Sequence, residues 1–217
     1  MFSETTHGIM LENAFRSFYS INDRGHQEEH FAAVESLALE MNREMNLGIN
    51  PLLITTVAWT HDLFAWSRKN HHKLSALWVR TTDHPLINTL TDEEREEVAI
   101  ANECHRASYK GEFPTLLAEL MSSADRGKPT GLRTEIMRGW EYSNVHLALN
   151  DHDGLLRAVS HQKEKYGRDG YARIPEIYKK YFQIQLEERY RQIDELQGKT
   201  FDEIIKFLKT DDLIDLK

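Results

Sequence analysis

Residues 50 to 66, NPLLITTVAWTHDLFAW, constrain the fold more than any other stretch of the chain. Apolar residues fall on every side of the run, and a helix apolar all round belongs in an interior. Asn50 suits an N-cap and Pro51 the first helical turn. The stretch therefore predicts a core helix from Pro51 through Phe64, with His61 and Asp62 well inside it. Burying two ionisable groups is costly unless they are paired or bound to something. Whatever they bind, the remainder of the chain has to accommodate it.

That remainder reads as helical nearly throughout. HFAAVESLALEM places Phe31, Val34, Leu37, Ala38 and Met41 at helical spacing. HHKLSALWV is a shorter helix. TDEEREEVAIANECHRA opens with a capping box, Thr91 with Glu94. FPTLLAELMSSAD ends near Asp125, and LRTEIMRGWEYSNVHLAL and DGLLRAVSHQKEKY follow as helices. Pro175 starts a long helix to about Gln197, and Thr200 with Glu203 caps the last, FDEIIKFLK. No convincing β-alternation, repeat or low-complexity segment interrupts the pattern. The expected class is all-α, a compact bundle of roughly eight to ten helices. Residues 1–175 are expected to form the main domain and 176–217 a C-terminal helical extension packed on it. This more polar extension is also a candidate homo-oligomer contact, although it offers no clear dimer seam.

The formal charge of −8, with no basic run, weighs against nucleic acid as the main partner. No apolar run is long enough to span a membrane. MFSETTHGIM lacks the features of a signal peptide, and the single Cys104 excludes an internal disulfide. A cytoplasmic location is the expectation.

Eleven histidines are the unusual count, and several fall in one region. His30 opens one apolar helix, His61 and Asp62 lie in the next, His105 closes the capped helix and Asp125 closes another. Histidine and carboxylate donors on separate helices, pointing inward, are a known way to hold a divalent metal. A lone His-Asp pair is a weak signal; order, spacing and helical context together are what make it specific.

The order His30, His61-Asp62, Asp125 resembles the HD-domain metal-dependent phosphohydrolases, whose pattern is H…HD…D on consecutive helices. HFAAVESLALEM, ITTVAWTHD and LLAELMSSADR are each similar to the family's motif contexts, and VSHQKEKYG resembles a stretch found after its last ligand. The core resemblance covers about residues 20 to 127. It implies the HD-type fold and four protein ligands, His30, His61, Asp62 and Asp125, to one divalent ion (Mn, Mg, Co, Ni, Fe or Zn). It implies hydrolysis of a phosphate ester or anhydride by metal-activated water, with Asp62 also orienting the water. The substrate expected is a small-molecule phosphate, a nucleotide first, and the aromatics Trp59, Phe64, Trp66, Tyr109 and Trp140 are candidates to stack on a base.

The chain departs from the family where many members continue HD with Ile-Gly-Lys; here LFAWSRK follows, and the basic residues come later. His71 and His105 lie where two-metal members carry extra histidines. A single ion remains the expectation, with His71 and His105 as catalytic hydrogen-bond donors to phosphate. A second ion would need them together with Asp62 as a bridge. His26, four residues before His30, borders the pocket if one helix carries both. Lys69, Arg106, Arg126 and Lys128 are the candidate phosphate contacts, while His72 and His84 read as surface residues. The alternatives are a catalytically weak metal- or nucleotide-binding regulatory module, a nuclease, and a plain helical scaffold in which the motif order is coincidence.

Overall fold

A computed structural model of the protein describes residues 2–22, 26–129 and 131–209. Among them are eleven helices and no strand: α1 Thr6–Tyr19, α2 Glu28–Glu44, α3 Pro51–Thr60, α4 His71–Thr81, α5 Asp92–Cys104, α6 Leu116–Ala124, α7 Leu132–His146, α8 Asp151–Tyr166, α9 Glu176–Tyr181, α10 Gln183–Leu196 and α11 Phe201–Lys209. The class is all-α, as the periodicity predicts. No helix among the described residues is long and apolar enough to cross a membrane.

The chain divides into two compact units. The first comprises Met1–Gly127 and Ile174–Tyr181, the second Lys128–Arg173 and Phe182–Lys217. In the first unit α3 is the central element. Its residues from Leu53 to Thr60 are all buried, and it packs against α1, α2, α5 and α6. The expected caps form: Asn50 Oδ1 accepts from Leu52 N at 3.0 Å, and the Thr91–Glu94 box closes in both directions. Thr115 caps α6 through Ala118 N at 3.1 Å.

The ends of α3 and α9 differ from the sequence expectation. α3 stops at Thr60, so His61 is its C-cap and Asp62 lies in the turns that follow, not inside a helix. Side-chain bonds to backbone carbonyls gather toward this end. Thr56 and Thr60 hydroxyls donate to Leu52 O and Thr56 O, both at 2.8 Å, and His61 Nδ1 bonds Ala58 O at 2.9 Å. Such local bonds compete with continuation of the helix. Leu63, Ala65 and Ser67 amides then bond Thr60, Asp62 and Phe64 carbonyls, giving a run of tight turns.

The helix expected from Pro175 to Gln197 is two, broken at Phe182 (φ −106°, ψ 30°). α9 is fastened within the first unit. Glu119 Oε1 accepts from Glu176 N at 2.6 Å and Ile177 N at 3.1 Å, and Tyr178 OH donates to Gly127 O at 2.9 Å.

The second unit contains α7, α8, α10 and α11. Its core is Leu132, Ile136, Leu155, Val159, Ile193, Leu196, Ile204 and Leu208. Arg189 is buried there against Glu135, Nη2 to Oε2 at 2.5 Å. Thr200 and Glu203 form the expected box ahead of α11.

Candidate metal centre

Three helices of the first unit end at the same place. His61 caps the C-terminus of α3, His105 that of α5 and Asp125 that of α6. Helix C-termini carry partial negative charge from their unpaired carbonyls and favour a cation. His30, from the first turns of α2, and His71, the first residue of α4, complete the ring.

Asp62 is at the middle of this ring, 4% exposed. Its two oxygens face different partners. Oδ2 is 3.5 Å from His61 Nε2, 3.6 Å from His26 Nε2 and 3.9 Å from His30 Nε2. Oδ1 is 3.4 Å from both His71 Nε2 and His105 Nε2. Asp125 Oδ1 closes the Oδ2 side, 3.3 Å from His30 Nε2 and 3.5 Å from His61 Nε2. Two overlapping donor sets result, His30–His61–Asp62–Asp125 and Asp62–His71–His105. In each, the ligand atoms lie within 4.8 Å of one another.

Backbone carbonyls fix the tautomers. His61 Nδ1 meets Ala58 O at 2.9 Å, His71 Nδ1 meets Arg68 O at 3.1 Å, and His105 Nδ1 meets Asn102 O at 2.7 Å. A carbonyl only accepts, so each Nδ1 carries a proton and each ring turns its Nε2 inward, where that atom takes either a cation or a second proton. This is how proteins orient metal-bound histidines. Further bonds tie the helix ends that carry these residues to one another. Asn102 Nδ2 donates to Thr60 Oγ1 at 3.1 Å and ties α5 to α3, and Ser122 Oγ donates to His105 O at 2.9 Å.

The donor set fits a divalent cation on two counts. Asp62 Oδ1 is buried and has no hydrogen-bond partner among the described residues, which is costly for a carboxylate left to itself. His30 and His61 Nε2 stand 3.3 Å apart, a close approach for two lone pairs unless something positive lies between them. Without a cation, a proton takes that place. Burial works against a charged His61, but Asp62 and Asp125 outweigh it and raise its pKa to about 9. Burial opposes ionisation of Asp62 and Asp125 as well. His61 and His105 hold Asp62 well below the usual carboxylate range, and His30 and His61 do the same for Asp125. His71 goes the other way, to about 4, because burial and the charges of His105 and Arg106 prevail over Asp62.

The chain matches no family model, no curated protein and no solved structure.

The structure brings together the four expected ligands His30, His61, Asp62 and Asp125, along with His26, His71 and His105. His26 arrives by another route than a shared helix, since α2 begins at Glu28 after an N-cap at Gln27. Arg106 and Lys69 meet near His71, Arg106 Nη1 donating to Lys69 O at 3.3 Å. Arg126, partly buried, follows Asp125 directly, whereas Lys128 is exposed and belongs to the second unit. His72 is half-buried, and its Nδ1 is buried with no partner among the described residues. Of the aromatics, Trp59 is core, its indole N–H held by Glu35 at 2.9 Å, while Trp66 is 56% exposed on the turn after Asp62. Sequence reasoning missed Asn102, Thr60 and Ser122. Asn102 and His105 lie three apart on the buried side of α5, a spacing that would have suggested a polar brace behind the ligand.

Proposed function

We propose that the protein is a metal-dependent phosphohydrolase of the HD-domain type, acting on a small phosphate ester or anhydride, a nucleotide first. The observation that carries this reading is the convergence of five histidine Nε2 atoms on one buried carboxylate, Asp62. His30, His61, Asp62 and Asp125 would hold one divalent ion. The separate orientation of the two Asp62 oxygens favours a second ion at Asp62, His71 and His105 over the single ion expected from the sequence. Divalent ions there supply Lewis acidity toward a phosphoryl oxygen and make water more acidic.

The chain's own groups do the remainder. Carbonyls behind His61, His71 and His105 keep their rings from rotating, so the donor atoms stay aimed without reorganisation during reaction. Arg106, already oriented by its bond to Lys69 O, offers a guanidinium beside His71 for a phosphate oxygen. Trp66 presents an exposed ring next to the ligand turn, suited to stacking on a base.

The test is phosphate release from nucleoside mono-, di- and triphosphates by metal-stripped protein given Mn, Mg, Co, Ni, Fe or Zn in turn. Metal-dependent release from one phosphate class is the expected result. Tight metal binding with no release from any nucleotide or simple phosphate ester would turn the reading toward a regulatory module.

A further inference from the structure

The turn that carries Asp62 is held from outside. α1 ends at Tyr19, and the chain beyond it lies against the end of α3. Asn22, 6% exposed, donates from Nδ2 to Asp62 O at 3.0 Å, while its Oδ1 accepts from Trp66 N at 3.3 Å. One carboxamide thus spans both ends of the segment from Asp62 to Trp66. Just before it, Tyr19 OH donates to Trp59 O at 2.9 Å. Trp59 O is one of the last four carbonyls of α3, which the helix itself leaves without a partner, and Asp62 O lies in the turn beyond, where Ala65 N also reaches it.

We propose that Asn22 is a positioning residue for the metal centre: it fixes the Asp62 peptide and thereby the carboxylate shared by both donor sets. The proposal rests on the metal-centre reading above. Asp62 no longer has a helix to hold its backbone, since α3 stops two residues earlier. Its side chain must face five imidazoles on two sides at once, so a small rotation of the peptide moves both oxygens off their partners. The turn's own bond, Ala65 N to Asp62 O at 3.1 Å, closes the loop but does not orient it relative to the rest of the unit. The Asn22 bond does. Asn22, three residues beyond the end of α1, ties both ends of that segment to the rest of the unit.

The experiment titrates Mn2+ into metal-stripped full-length protein, by calorimetry, for wild type and three variants, with thermal unfolding of each recorded metal-free. Asn22→Leu removes both bonds. Asn22→Asp is isosteric, keeps the acceptor for Trp66 N and loses the donor to Asp62 O. It also adds a negative charge, which by itself favours a cation, so weaker binding there reports the lost donor. Tyr19→Phe is the matched control, since it removes a buried bond to Trp59 O and leaves the Asp62 peptide alone. The expected result is Mn2+ affinity weakened about tenfold in both Asn22 variants and unchanged in Tyr19→Phe, whatever the unfolding midpoints do. If Asn22→Leu does not fold, Asn22→Asp decides alone. Wild-type affinity in the Asn22 variants, or losses that simply follow the drop in midpoint across all three, would overturn the proposal while leaving the metal centre standing. No Mn2+ binding by wild type would overturn both.

Discussion

Two buried carboxylates in the first unit, Glu35 and Asp62, have solved the same problem in opposite ways. Both are nearly inaccessible to solvent. Glu35 Oε1 accepts from Thr5 Oγ1 at 2.5 Å and Thr55 Oγ1 at 2.9 Å; Oε2 accepts from Ser3 Oγ at 2.6 Å and Trp59 Nε1 at 2.9 Å. Four neutral donors at hydrogen-bond length satisfy it fully, and the chain closes tightly around them. A Cβ on Gly8 would come within 2.7 Å of Glu35 Oε1. Asp62 has five imidazole nitrogens around it, none closer than 3.4 Å. The first arrangement needs nothing more. The second has donors spaced for an ion. Burial of a carboxylate is therefore not itself a functional signal; the chemistry and distance of its partners are.

The largest effect is expected for Asp62→Ala, which should weaken Mn2+ binding by more than about 100-fold and abolish phosphate release, with helicity by circular dichroism retained. The penalty exceeds that for an outer-shell change because Asp62 serves both donor sets. Persistent turnover in this variant would mean that the centre is misassigned. Glu35→Ala should do the reverse. It leaves three hydroxyls and an indole N–H without their acceptor and should cost about 3 kcal/mol of stability, read by denaturant unfolding, while Mn2+ affinity in the folded protein stays at the wild-type value.

Next comes metal removal. Mn2+ at about 100 times its dissociation constant should stabilise the protein by about 2.7 kcal/mol over the chelated form. Asp62→Ala should show no such gain, and Glu35→Ala should show it in full.

The metal-free centre is also expected to respond to pH. The His61 pKa is raised to about 9 from an ordinary 6.5. Its proton therefore stabilises the metal-free fold fully below about pH 6.5, and that contribution is lost as pH rises through about 9. A cation has to displace the proton, so Mn2+ affinity should increase over the same interval. Unfolding of metal-free protein across this range should show the decline, and Mn2+-loaded protein should not. The smallest effect is expected for His146→Ala in α7, a residue of the second unit whose ring meets Tyr142 at 4.8 Å. Phosphate release should be unchanged there.

Much of this was legible in the sequence. Apolar periodicity and the caps at Asn50, Thr91 and Thr200 place the helices around them, and the order of His30, His61, Asp62 and Asp125, with His61 and Asp62 expected inside a helix, names residues that cluster. What escaped depends on contacts between distant segments. α1 is absent from the sequence expectation, and the carboxylate at Glu35 that anchors the N-terminal segment joins residues some 30 positions apart. The end of α3 at Thr60 is hidden because the sequence stays apolar past it, while the Thr60–Thr56 and His61–Ala58 side-chain bonds that gather there compete with a further turn. The break at Phe182 likewise follows from Glu119 and Gly127 holding α9, not from any local breaker residue. Asn22 carries no periodic signal at all.

Whether Asp62 is a shared metal ligand is decided by the number of Mn2+ ions that metal-stripped wild-type protein binds, measured by calorimetry with electron paramagnetic resonance on the loaded sample. Two ions per chain, magnetically coupled through a shared carboxylate and both lost in Asp62→Ala, is the predicted result. No binding, or binding that survives Asp62→Ala unchanged, would contradict it.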